Sequence, residues 1–112
     1  NFAVHGFNEC LVMYILAAAS PTYPIDREVY TEGWAENGAI VDEHEVEGYR
    51  LRLRYQGVEA GPLFWAHYSF LGLDPRGLRD DYCEDYFGEM RDYSLINRAY
   101  CIRNPRHYNV KQ

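Results

Sequence analysis

The sequence lacks the features that mark several large functional classes. No Lys/Arg cluster is long enough to neutralise a phosphate backbone, and 11 basic residues face 17 acidic ones for a net charge of −6, which argues against nucleic acid as a partner. No run approaches the roughly 20 apolar residues that a membrane-spanning helix needs. The longest apolar stretch, Phe7 to Ala19, contains Asn8 and Glu9 and has no basic flank, so it is also a poor secretory signal. The three cysteines, Cys10, Cys83 and Cys101, show no CxxC spacing, and their odd number leaves at least one unpaired within the chain. Free buried thiols, packed as small hydrophobes, are the expectation. His5, His44, His67 and His107 have no metal-ligand spacing with one another or with the cysteines, and GxSxG, P-loop and dinucleotide fingerprints are missing. No metal site and no cofactor are expected. There is no repeat of fixed period, no low-complexity segment and no linker.

What is present fits one folding unit, because 112 residues bury only about two thirds of the surface that the unfolded chain exposes. The chain opens on Asn1 and runs directly into the apolar stretch, which reads as part of a longer protein. Aromatic residues make up 16%, including eleven Tyr and two Trp. Such rings suit sugars, offering an apolar face and a polar tip, and they also fill ordinary cores.

Residues 8 to 19 (NECLVMYILAAA) are apolar on every side of a helical wheel, with Asn8 placed to cap the start and Ser20-Pro21 to stop it. A helix of this kind has to be surrounded by protein. The next segment spreads charges among Ile25, Val29, Tyr30 and Trp34 and ends at Asn37-Gly38, which predicts a half-exposed outer helix. An inner helix turned back on an outer one is the unit of helical hairpin architectures. Gly38 to Glu47 is acidic and irregular. Tyr49, Leu51, Leu53 and Tyr55 then alternate with Arg50, Arg52 and Arg54, and this period of two predicts a strand, with a hairpin turn at Gln56-Gly57 and a short second arm at Val58 to Ala60. A second apolar helix opens at Gly61-Pro62, with Pro62 at its first position, and ends near Gly72. Asp74 to Gly77 is a turn, and a last helix covers roughly Asp85 to Arg103, with Met90, Tyr93, Ile96, Tyr100 and Cys101 on one arc and Asn104-Pro105 as its stop. The residues after it read as a tail or a connection.

An ordered set of short motifs carries a resemblance: FNE at Phe7 to Glu9, SPTYPI at Ser20 to Ile25, GPLF at Gly61 to Phe64, HYS at His67 to Ser69, DPRGLRD at Asp74 to Asp80, DYF at Asp85 to Phe87 and NRAYCIRNP at Asn97 to Pro105. In this order they resemble the C-terminal half of the glycoamylase-like domain of bacterial endo-β-1,2-glucanases and cyclic β-1,2-glucan synthases. The resemblance implies an all-α fold that forms part of an (α/α)₆ toroid, here with a small β insertion at about residues 38 to 60. It also implies that the other helices of the ring come from the missing half of the domain or from another chain, that the substrate is a glucan or an oligosaccharide, and that the segment alone is inactive. Family members are often exported to the periplasm.

Glycoside hydrolysis needs two carboxyls flanking the scissile bond, roughly 5 to 5.5 Å apart for retention or 6.5 to 9.5 Å for inversion. The resemblance places Glu9 in the cleft as the general acid, and inversion is expected because (α/α)₆ hydrolases often use it. The competing reading of Glu9 is a favourable acid in the first turn of a helix, where the helix dipole stabilises the carboxylate while burial stabilises the acid. For the second carboxylate, Asp74, Asp80, Asp81 and Asp85 are candidates within the chain, and each also suits a turn or a helix start. Phe7 and Asn8, which precede Glu9 in the FNE motif, are expected to bind substrate beside it, as is Asp74. Trp65, His67 and Tyr68 mix ring faces with polar tips and suit either a glucosyl unit or a core. Arg76 binds sugar hydroxyls or braces Asp74. Two other functions fit the same residues: a non-catalytic glycan-binding or chain-length-controlling domain of a larger synthase, and an all-α interaction module.

Overall fold

The computed structural model describes residues 4–55 and 61–108. It is mostly helical with one two-stranded antiparallel sheet, in line with the expected class. The elements are helix α1 (Leu11–Ala18), a π-helical segment (Val29–Trp34), strands β1 (Val41–Val46) and β2 (Tyr49–Leu53), helix α2 (Leu63–His67) continuing as a 3₁₀ segment (Tyr68–Leu71), and helix α3 (Tyr86–Arg103).

The long last helix forms where the sequence places it, and its ends show why. The Asp85 side chain accepts from the Gly88 N–H and satisfies one of the donors that a helix start leaves open, while Asn104 closes the other end in the left-handed conformation. Tyr86, Met90, Tyr93 and Ile96 are buried along one side of α3, whereas Cys101 is exposed, so the buried arc ends before the last turn. The expectation of buried thiols holds for Cys83 only; Cys10 is half-buried.

The sheet departs from expectation. Tyr49–Leu53 is a strand, but its partner lies upstream, in the stretch read as irregular: Val46 pairs with Tyr49, Glu45 with Arg50 and His44 with Leu51. The hairpin loop is Glu47-Gly48, both with φ in the left-handed region at 53° and 79°, as a two-residue hairpin turn requires. The arm and turn expected at residues 56 to 60 lie outside the described residues. Leu51 and Leu53 point from β2 into the core, against α3.

The segment expected as an outer helix forms a single π-helical turn, in which the Ala35 N–H reaches back five residues to the Tyr30 carbonyl at 2.9 Å. It ends at Trp34, and left-handed Glu36, Asn37 and Gly38 follow. The turn delivers Trp34 fully buried into an aromatic core, where Phe7 meets Trp34, Tyr55 and Tyr86 at ring-centroid distances of 6.0, 5.5 and 6.2 Å. The two edge-to-face pairs, with Trp34 and Tyr55, each add about 0.5 to 1.5 kcal/mol beyond burial. Much of the aromatic content is therefore spent on the core.

Candidate functional site

The FNE turn is built between the sheet and α1. The Phe7 N–H donates to the Arg54 carbonyl at 3.1 Å, and Phe7 bridges Tyr55 in parallel, so the start of the chain is laid against the end of β2. Gly6 makes the bend before it with φ of 72°, a conformation that side chains disfavour. Asn8 then locks the turn upon itself: its Oδ1 accepts from the Cys10 N–H at 2.8 Å and its Nδ2 donates to the Gly6 carbonyl at 3.2 Å. Its capping is thus spent ahead of α1, whose cap residue is Cys10 and carries no side-chain cap bond.

Glu9 emerges from this turn half-buried. Among the described residues its carboxylate has no hydrogen-bond or ion-pair partner, although its charge helps raise the Cys10 thiol pKa, after burial as the larger cause. Its backbone is held instead. The Ser69 hydroxyl donates to the Glu9 carbonyl at 3.0 Å, and the same oxygen accepts from the Val12 N–H at 3.1 Å.

Every other carboxylate named from the sequence is structurally engaged. Asp74 accepts from the Arg76 guanidinium on both oxygens, at 2.7 to 3.1 Å, and from the Arg76 backbone N–H at 3.0 Å; these bonds hold its pKa down to about 2. Arg76 is exposed and braces that loop. Asp81 pairs with Arg27 at 2.6 Å and Asp85 caps α3. Asp80 gathers the connector: one oxygen accepts from the Tyr30 and Tyr86 hydroxyls, both at 2.6 Å, and the other from the Tyr82 and Cys83 N–H groups at 2.9 and 2.8 Å. Cys83 is buried beside it, and that burial pushes its thiol up to about 12.

The aromatic candidates divide. Phe7 is fully buried, so its ring belongs to the core rather than to a sugar-facing surface, a correction that follows from its three ring contacts. Trp65 is half-buried with its indole laid on Gly61, where an added Cβ would come within 2.1 Å of the ring. Pro62 caps α2 just outside the helix rather than opening it from within. Phe64 and Tyr68 remain 53% and 56% exposed, which leaves ring faces open to a ligand. His67 Nε2 lies 2.8 Å from Ser94 Oγ, whose hydroxyl donates to the Met90 carbonyl, so Nε2 is the donor toward Ser94. His67 opens onto an apolar cleft of about 360 Å³ lined also by Phe70, Phe87, Met90 and Arg91. A cleft of about 260 Å³ lies beside the FNE turn, lined by His5, Gly6, Glu36, Arg54 and Tyr55, with Glu36 paired to both His5 and Arg54. Among the described residues, no group of three His, Cys, Asp or Glu could hold a metal ion and no helix is long and apolar enough to cross a membrane.

Two polar side chains that shape this region are missing from the sequence-derived site. Ser69 stands inside the HYS motif, yet a serine on an apolar helix carries no signal of its own partners. Glu89 is 7% exposed and accepts from the Arg52 and Leu53 N–H groups at 3.0 to 3.1 Å and from the Tyr55 hydroxyl at 2.7 Å. A signal for Glu89 exists, since it shares the i, i+4, i+7 row with Tyr93 and Ile96.

A glycoamylase family model, described as "Putative glucoamylase", matches residues 1–112. The chain is 33% identical over 123 aligned positions to an exo β-1,2-glucooligosaccharide sophorohydrolase (non-reducing end) of Parabacteroides distasonis, covering 96% of this chain and 17% of that protein. Among solved structures, one from Bacteroides caccae with the same description as the family model is 70% identical with a TM-score of 0.89, over 94% of this chain and 25% of that one. The endo-β-1,2-glucanase of Chitinophaga pinensis, in complex with sophorotriose and glucose, is 56% identical with a TM-score of 0.91, over 97% of this chain and 26% of that one. The chain thus spans about a quarter of the length of the solved relatives that it matches.

Proposed function

The chain belongs to the glycoamylase family, and from that premise we propose that it forms part of a larger (α/α)₆ glycoside hydrolase acting on β-glucan, with β-1,2 linkages as the substrate. Glu9 is the general acid: it gives its proton to the leaving glycosidic oxygen while a carboxylate outside residues 1 to 112 activates water on the opposite face of the sugar, an inverting arrangement. The observation that carries this reading is the state of Glu9. Each aspartate considered beside it is tied to a cation, a helix end or a hydrogen-bonded hub, whereas the Glu9 carboxylate stands half-buried with no such partner among the described residues, on a turn locked by Asn8 and Ser69. Trp65, His67 and Tyr68, carried by α2 and its 3₁₀ extension, supply sugar-facing rings. Asn8 acts by fixing the turn, and the Asp74–Arg76 pair by fixing the loop that follows the extension.

The test is reducing-end release from linear β-1,2-glucan by the full-length protein. Glu9→Gln, nearly isosteric but without a proton to give, is expected to lower the rate by about 10² to 10⁴ while leaving the fold intact. A wild type that binds the glucan and releases nothing would replace this reading by a glycan-binding or length-controlling one.

A further inference from the structure

Glu9 has no side-chain partner among the described residues, so the backbone, which sets where its side chain starts, is the part of it that the fold holds in place. That backbone is tied by one long-range side chain. Ser69 is 1% exposed, and its hydroxyl bridges two groups far away in sequence: it donates to the Glu9 carbonyl at 3.0 Å and accepts from the Val12 N–H at 3.1 Å. Val12 lies in the first turn of α1, where helix geometry leaves N–H groups without partners, and the cap residue Cys10 offers no side-chain bond. Ser69 therefore caps α1 from across the fold. A buried hydroxyl costs free energy unless both its donor and its acceptor are used. Here both are used, one on the turn that carries Glu9 and the other on the start of α1 that follows it.

The geometry points to Ser69 as a positioning residue for the reaction, one that fixes the Glu9 turn against the segment bearing His67 and Tyr68. This rests on the reading of Glu9 as general acid. An acid has to stay within hydrogen-bond reach of the oxygen that it protonates, and a misplacement of about 1 Å costs on the order of 100-fold in rate. Alanine would fill the same space without the bridge.

The experiment compares Ser69→Ala, Ser69→Thr and Glu9→Gln with wild type in the full-length protein, measuring kcat, KM, the pH profile of kcat and the melting temperature on linear β-1,2-glucan. Ser69→Ala is expected to lower kcat about 10- to 100-fold with KM little changed and the basic limb of the profile displaced, and Ser69→Thr, which keeps the hydroxyl, to recover most of the loss. A Ser69→Ala protein that melts earlier but keeps the wild-type kcat and pH profile per folded molecule would reduce Ser69 to a structural brace and overturn the proposal. If Ser69→Ala does not fold, Ser69→Cys is read by the same kcat-against-KM split. A crippled Glu9→Gln beside an unaffected Ser69→Ala sinks only this inference, whereas a Glu9→Gln with wild-type kcat, or a wild type silent on the glucan, sinks the general-acid reading and this one together.

Discussion

A carboxylate that accepts from two phenols makes both phenols harder to ionise. Tyr30 and Tyr86 share one oxygen of Asp80, and their pKa values are raised, first by burial and then by neighbouring groups that include Asp80. In the unfolded chain a tyrosine ionises near pH 10. Because the folded values lie above that, the stability these residues contribute is complete below about pH 10 and is lost as the pH rises toward the folded value, since only the unfolded chain can then release the proton. Tyr86→Phe gives up a hydrogen bond to a charged acceptor, worth about 1.5 to 3 kcal/mol, but has no proton to lose. Thermal melts of the intact protein are therefore expected to place Tyr86→Phe well below wild type at pH 8 and closer to it at pH 11. A gap that stays constant or widens between these pH values would show that the hub does not titrate in this way.

At the scale of elements, the joint between α3 and the hairpin depends on Glu89. Its carboxylate accepts from the Arg52 and Leu53 amides of β2 and from the Tyr55 hydroxyl just beyond it. Glu89→Ala leaves these donors without an acceptor in a buried place, at about 1 to 3 kcal/mol for each unsatisfied group. Urea unfolding of the intact protein is expected to show a loss of about 3 to 5 kcal/mol for Glu89→Ala and a smaller one for Glu89→Gln, which keeps one carbonyl acceptor. Equal losses for the two would mean that side-chain volume, not the bridge, holds the joint. The same joint shows what the sequence made legible. Helix α3 could be read because its signals are local: Asp85 caps it, Asn104-Pro105 stops it, and Met90, Tyr93 and Ile96 repeat at helical spacing. Strand β2 could be read from its alternation, but β1 could not. Four of its six residues, VDEHEV, are polar or charged and none is fully buried, so no apolar alternation marks it, and its turn, Glu47-Gly48, lacks the Asn-Gly or Asp-Gly signature. Glu9 stood out because a lone acid heading an apolar run is conspicuous. Ser69 did not, and Glu89 showed only its place on the buried row of α3, since the partners that define their roles lie up to 60 residues away.

At the scale of the whole chain, the apolar surface is arranged as though more protein belongs on it. Helix α1 is apolar all round, yet only Leu11 and Tyr14 are buried, and Met13 and Leu16 stand 49% and 67% exposed. Leu71 and Ile102 are exposed at 82% and 67%, and Phe64 and Phe87 add open rings. Single exposed hydrophobics are ordinary, but a helix with no polar face has no solvent side to offer. Solved relatives about four times longer have the chain length to supply a cover, and the toroid proposed above would lay neighbouring helices on α1. Leu16→Glu separates a covered face from a free one, because its effect changes sign with context. In the isolated 112-residue chain, which is expected to self-associate and to bind an apolar dye such as ANS, the new charge should suppress both. In the intact protein it would place an unpaired carboxylate in a packed interface and lower stability by about 3 kcal/mol or more. A Leu16→Glu protein that melts with wild type would mean that α1 faces water in the intact molecule, and the ring of helices would then have to be drawn without it.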